Sequence, residues 1–317
     1  MQRPTPYPSR GRFAPSPSGP LHLGNLRTAL LAWLFARAGG GSFVLRLEDL
    51  DRPRVRPGAF EGIRHDLRWL GIDWDEGPDI GGPSGPYRQS DRLPLYREHL
   101  RRLLELGLAY PCYCSRADSA IAASAPNGLL KEHAGYTGAC RDPERRARRR
   151  QSRLDREPAY RFAIASMDQE FVDAVAGPCR FRLTAGQDDF VIWRATGTPA
   201  YQLAVVVDDA LMGIDQVARG DDLLDSTPRQ LALYQAFGYQ APQWAHVPIL
   251  RDSTGARMAK RNAAEGLAGA RARGCRPEEI VGVLAASIGL VPGGIACAAR
   301  DLLDGFNAAR LVPQPGL

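Results

Sequence analysis

At 317 residues, with 44% hydrophobic and 24% charged residues, the chain has the make-up of a folded enzyme and not of a disordered, fibrous or membrane-spanning protein. It has no apolar run near the roughly 20 residues that a membrane span needs, and its opening MQRPTPYPSR lacks a signal-peptide core, so a cytoplasmic chain is expected. The net charge of +6 and pI near 9.1 allow a polyanionic partner such as RNA without requiring one.

Taken in order, residues 1–10 carry three prolines and no periodicity and are expected to form a loose extension. Arg12 to Pro15 should end a first strand. Leu26, Leu30, Trp33 and Leu34 then mark one face of a helix closed by Gly39-Gly40-Gly41. Phe43 to Leu47 reads as a second strand, followed by Glu48-Asp49-Leu50-Asp51. Strand, helix and strand make a βαβ unit and hence a parallel sheet, in which acids at a strand's carboxyl end stand where ligands bind. Phe60, Ile63, Leu67 and Leu70 give another helix ending at Gly71, and Leu95 to Leu106 a further one ending at Gly107.

Residues 110–157 differ in character, with three cysteines, few large aliphatic residues and eight arginines between Arg141 and Arg156. They read as an inserted subdomain with little core. The sheet is expected to resume near Tyr160, and the apolar run Tyr201 to Val207 reads as a strand buried on both faces, ending in Asp208-Asp209. Ser226-Thr227-Pro228 should start a helix, with a hydroxyl cap and proline at the first position, that stops at Gly238. Residues 251–262 form a basic loop, followed by two or three short alanine-rich helices.

The chemistry concentrates in GRFAPSPSGPLHLGN, residues 11–25. A strand, a Pro/Gly turn and a helix N-terminus bring free backbone N–H groups and the helix dipole to one point, which suits phosphate. Cys112 and Cys114, with Cys140 twenty-six residues on, offer three thiolates and leave a tetrahedral zinc one ligand short. On chemistry alone His133 would complete it. Cys179, Cys275 and Cys297 are expected to be buried small hydrophobes.

RFAPSPSGPLHLGN, LRLEDLDRPR, LGIDWDEGP, YRQSDR, YQLAVVVDD and RMAKR together resemble the class I aminoacyl-tRNA synthetases of the glutamyl type. The resemblance implies a Rossmann-like, doubly wound α/β catalytic domain with a zinc-binding insertion and a short helical C-terminal appendage. It divides the chain into 11–109 and 158–250 as the catalytic halves, 110–157 as the insertion, and 251–317 as the motif loop and helical region. His22-Leu23-Gly24-Asn25 corresponds to the HIGH motif, which places His22, Gly24 and Asn25 on ATP. Arg257 to Arg261 corresponds to the KMSKS loop and assigns Lys260 to the ATP phosphates, with alanine in place of the motif's serine. Arg12, Ala14, Ser16, Glu48, Tyr201 and Arg219 match the amino-acid pocket. Two arginines, a phenol and one acid suit a substrate with two carboxylates and an amine, which is L-glutamate. Which arginine takes which carboxylate is open.

The resemblance also completes the metal set with Tyr136, so Tyr136 and His133 stand as alternatives. It implies one structural zinc, ATP as a substrate, and magnesium with no protein ligand assigned. Only 56 residues follow Arg261, too few for the family's helical anticodon-binding domains, so the chain resembles the truncated glutamyl-queuosine tRNA(Asp) branch. That branch implies tRNA-independent activation of glutamate and its transfer to queuosine in tRNA(Asp), by a monomer with no membrane partner. The rival readings are a shortened enzyme charging tRNA(Glu), a non-catalytic RNA-binding paralogue, and a nucleotidylyltransferase acting on another acid. The arginine run either contacts RNA phosphates or forms a solvated helix.

Overall fold

The computed structural model describes residues 9–115, 136–250, 266–308 and 311. Its centre is a four-stranded parallel sheet in the order β2-β1-β8-β9, built from β1 (Arg10–Phe13), β2 (Ser42–Leu45), β8 (Gln216–Gly220) and β9 (Gln243–Val247). From β1 the chain moves to one side of the sheet through helix α1 (Leu23–Arg37) into β2, while β8 and β9 lie on the other side. The connectivity therefore changes direction between β1 and β8, and in open α/β sheets the crevice at such a point is where ligands sit.

Helix α1 is buried almost all round, because the sheet covers one side and helix α8 (Pro277–Ala286) the other. Leu26, Leu30 and Leu34 of the predicted stripe are buried, and so are Ala29, Leu31, Ala32 and Ala36. Close approach of β1 explains Gly11: a Cβ there would lie 2.8 Å from that of Ala36. Arg27 is buried within the same helix. It donates from Nη2 to the Pro248 carbonyl and from Nη1 to the Ser287 hydroxyl at 3.2 Å, so α1 is tied both to the exit of β9 and to the end of α8. Burial lowers its pKa to about 10 against the opposing pull of Asp221.

Helices α2 (Ala59–Trp69) and α3 (Leu93–Glu105) fall where the periodicity placed them. Arg10, read from sequence as the end of a loose extension, is the first residue of β1, its backbone N–H held 2.6 Å from Asp215. The largest departure is Tyr201–Leu211, which is a helix, α5, and not a strand. Every residue from Gln202 to Asp209 is buried, so the segment shows no alternation of either period and three consecutive valines favoured the wrong reading. The signal that could have corrected it is length, since no glycine or proline interrupts the chain until Gly213.

Nor does the parallel sheet resume at Tyr160. Strands β3 (Ala109–Cys112), β4 (Ala159–Phe162) and β7 (Phe190–Trp193) form a separate antiparallel sheet in the order β3-β4-β7. Strands β5 (Met167–Asp173) and β6 (Gly177–Leu183) make a hairpin whose residues alternate in exposure. The parallel sheet continues only at β8. Helix α6 (Thr227–Phe237) ends at Gly238 as expected, but Ser226 does not cap it, because a 3-10 turn over Asp221–Ser226 delivers that residue already in helical conformation. Helix α4 (Pro143–Gln151) carries the arginine run and buries no residue. After 251–265, which lie outside the described residues, α7 (Gly266–Ala272), α8 and a 3-10 turn at Ala299–Leu302 supply the expected short helices. Cys179, Cys275 and Cys297 are half-buried, less enclosed than their composition-based reading implied. Among the described residues no helix is long and apolar enough to cross a membrane.

Candidate active site

A cavity of about 390 Å³ opens at the carboxyl edge of β1 and β8, at the change of direction in the sheet. Its walls include Arg12, Ala14, Ser16, His22, Gly24, Asn25, Glu48, Tyr201 and Arg219. Every predicted ligand of glutamate and ATP therefore borders one space, except Lys260, which lies outside the described residues together with the rest of the RMAKR loop.

Arg12 stands one residue before the end of β1 and is 5% exposed, its Nε and Nη2 facing Asp209 at 3.3 and 3.5 Å. Asp209 projects from the buried helix α5 and also accepts from Arg46 Nη1 at 2.6 Å. Arg46 is wholly buried and reaches Glu48 at 3.2 Å and Asp208 at 3.5 Å. Asp208 in turn accepts from Arg92 Nε at 2.6 Å, from Gln89 at 2.8 Å and from the Tyr96 hydroxyl at 2.9 Å. Three arginines and three carboxylates thus balance one another in the interior. Burial pushes up the pKa of Glu48, which Arg46 and Arg12 oppose. Burial acts the same way on Asp209, but there Arg12 and Arg46 outweigh it and the carboxyl is held below its usual range.

Arg219 stands one residue before the end of β8 and is left out of this balance. Its hydrogen-bond partners are all neutral: Gln230 Oε1 and Thr227 Oγ1 at 2.8 Å, His246 Nε2 at 3.0 Å and the Leu223 carbonyl at 3.4 Å. Burial lowers its pKa, against the opposing pull of Tyr201 and Asp209. His246 Nδ1 lies 2.6 Å from Asp173 Oδ2, at the end of β5. Tyr201, raised by burial, remains a phenol that can donate into the cavity.

His22 is the N-cap of α1, its Nδ1 accepting from the Asn25 backbone N–H at 3.2 Å. Acceptance at Nδ1 assigns the ring proton to Nε2, so capping and donation by one imidazole are compatible. A Cβ on Gly24 would lie 3.0 Å from His22 Cε1 and 3.1 Å from Nδ1. The imidazole itself therefore leaves little room for a side chain there.

Cys112, Cys114 and Cys140 stand apart from this cavity with their sulfurs all within 4.8 Å of one another, Cys114 and Cys140 at 3.5 Å. Sulfurs on a tetrahedral zinc are about 3.8 Å apart, so the set fits that ion. The Tyr136 oxygen lies 4.0 Å from Cys112 Sγ, while His133 is outside the described residues. Arg161 donates to Cys112 Sγ at 3.4 Å and lies 3.7 Å over the Tyr136 ring, which compensates surplus negative charge on the donors. The cluster, with Tyr110 and Tyr136, forms a small core of its own.

Sequence reading did not assign Asp209, Arg46, His246 or Asp173 to the site. Asp208 and Asp209 stand within a helix and not at the end of a strand, which turns both carboxylates toward the buried arginines.

The model of the catalytic domain of class I tRNA synthetases (E and Q) matches residues 9–287. A glutamyl-Q tRNA(Asp) synthetase of Symbiobacterium thermophilum is 54% identical over 305 residues, covering 96% of this chain and 94% of that one. Another, of Nitratidesulfovibrio vulgaris, is 46% identical over 307 residues with the same coverages. The crystal structure of a glutamate tRNA ligase from Elizabethkingia meningosepticum in complex with its amino acid matches with a TM-score of 0.79 at 29% identity, over 98% of this chain and 67% of that one.

Proposed function

The chain belongs to the class I tRNA synthetases of the E and Q type, in the glutamyl-Q tRNA(Asp) synthetase branch, and on that premise we propose that it activates L-glutamate with ATP, without tRNA, and transfers it to queuosine at the wobble position of tRNA(Asp). It is an ATP-dependent ligase of that family. The observation that carries the choice of amino acid is the charge balance of the cavity. Arg12, Arg46 and Arg92 are matched by Asp208, Asp209 and Glu48, and Arg219 is left with neutral partners. A substrate bearing two carboxylates and one ammonium, net −1, supplies the missing charge.

In this reading Arg12, Arg219 and the Tyr201 hydroxyl hold the two carboxylates and Glu48 takes the ammonium, with Ala14 and Ser16 shaping the floor. An α-carboxylate oxygen attacks the α-phosphorus of ATP. The new O–P bond forms as the bond to pyrophosphate breaks, and negative charge moves to the leaving group. His22 Nε2–H donates to the phosphates beside Gly24 and Asn25, and Lys260 supplies a cation there. Magnesium would neutralise phosphate charge, with no protein ligand assigned. In the second step a hydroxyl of the queuosine cyclopentenediol attacks the acyl carbon, and AMP leaves. The three thiolates and Tyr136 would hold one structural zinc, which ties the segments around Cys112 and Cys140 together beside the antiparallel β3-β4-β7 sheet.

The test has two arms. Glutamate-dependent ATP–pyrophosphate exchange by the chain alone is expected, and Lys260→Ala should depress it strongly. Labelled glutamate should then enter queuosine-containing tRNA(Asp) and not the unmodified transcript. Charging of tRNA(Glu) instead would replace this reading with that of a glutamate–tRNA ligase.

A further inference from the structure

Helix α4 has the sequence PERRARRRQ, five arginines against one glutamate, so nine residues carry +4 of the whole chain's +6. It buries no residue, and nothing in packing calls for that composition. Arginines three and four apart, such as Arg145 with Arg148 and Arg149, face one another on the helix surface, and each like-charged pair costs about 0.2–0.5 kcal/mol. The helix dipole accounts for part of the run, since Arg148, Arg149 and Arg150 occupy the last turn where cations are favoured. It does not account for Arg145, in the first turn. Among the described residues, Glu144 meets Arg148 at 3.9 Å with both side chains more than two-thirds exposed, which is weak screening at best.

The helix is also held in place. Arg146 Nη1 donates to the Cys140 carbonyl at 3.3 Å and its guanidinium lies 5.9 Å from the Tyr110 ring centre, so the first turn rests on the cysteine cluster. Just before the helix, Arg141 donates to Asp189 and to the Ile164 carbonyl, both at 2.7 Å. A fixed, self-repelling cationic rod is costly until an anion covers it. The use of arginine instead of lysine carries no weight here, because the chain uses arginine nearly everywhere.

We propose that the outer face of α4, led by Arg145, Arg148 and Arg150, is a docking surface for the phosphate backbone of the RNA acceptor. This rests on the function proposed above for its choice of polyanion. The surface reads no sequence; it adds salt-sensitive affinity and orients the RNA against the metal-bearing insertion.

The full chain and the variant R145Q/R148Q/R150Q are to be compared in binding queuosine-containing tRNA(Asp), by fluorescence anisotropy across a salt series. Glutamine keeps helix propensity. Affinity at low salt should fall by about 10-fold or more, and the slope of log K against log salt should drop by about 0.7–0.9 for each phosphate that the variant no longer neutralises. Glutamate-dependent pyrophosphate exchange should be unchanged. R180Q/R182Q, on the β5–β6 hairpin, removes two exposed charges already paired to Asp168 and serves as control. Wild-type affinity and slope in the α4 variant would overturn the proposal, as would an equal loss in the control. A wild-type chain with no exchange activity would instead sink the functional reading while leaving the binding comparison to stand by itself.

Discussion

His246 Nε2 lies 3.0 Å from Arg219 Nε, and because a guanidinium has no acceptor, the imidazole must accept there. The ring proton is then on Nδ1, where it is donated to Asp173 at 2.6 Å. A buried Asp–His pair therefore fixes the tautomer that holds the arginine with neutral partners. Protonating His246 would set N–H against N–H.

Glutamate binding should consequently weaken on the acid side. Burial lowers the pKa of His246 below its ordinary 6.5, more than the hydrogen bond to Asp173 raises it. The unfolded chain thus takes up the proton first. The stability this group contributes is complete above about pH 6.5 and is lost as pH falls from there toward the folded pKa. The KM for glutamate in the exchange assay should rise over the same range with little change in kcat. His246→Gln should flatten that profile while retaining an acceptor for Arg219. An unchanged profile in the variant would detach His246 from the effect.

Asp209→Ala should be severe for stability. It removes the carboxylate shared by Arg12 and Arg46, leaving two buried guanidinium groups undercompensated. Loss of one member of a buried ion network costs about 3–5 kcal/mol, to be read as a lower urea midpoint with an unchanged slope.

Gly24→Ala should separate activity from stability. Alanine in a helix is favoured over glycine by about 0.5–1 kcal/mol, which offsets the roughly 1 kcal/mol at stake in the His22 cap, so melting temperature should change little. Its Cβ would sit 3.0 Å from His22 Cε1 and displace the ring, so exchange should fall by about 10-fold or more, a barrier increase of at least about 1.4 kcal/mol.

One zinc per chain is expected by metal analysis, and a chelator should lower the melting temperature. Cys114→Ser should reproduce that loss. Tyr136→Phe should weaken zinc retention while His133→Gln leaves it intact; the opposite pattern would make the imidazole the fourth ligand.

The residues that line the cavity were legible because they come in long local motifs whose chemistry is visible one residue at a time, as with Arg12, His22 and Glu48. What sequence did not reveal is carried by pairs distant in the chain. Arg46 and Asp209 are separated by 163 residues and His246 and Asp173 by 73, so no window contains either partnership. The misread helix α5 had the same root. Its side chains are enclosed on every side, and enclosure erases the periodicity by which a helix declares itself.

Arg27 joins three regions that the primary structure keeps far apart: the helix opening at His22, the exit from β9 at Pro248, and Ser287 beyond α8. Helix α8 is therefore a buttress of α1. A cut ahead of α8 would strip one flank of α1 and leave the Arg27 guanidinium short of an anchor, so the damage would register at the opening of that helix, in the imidazole that lines the cavity.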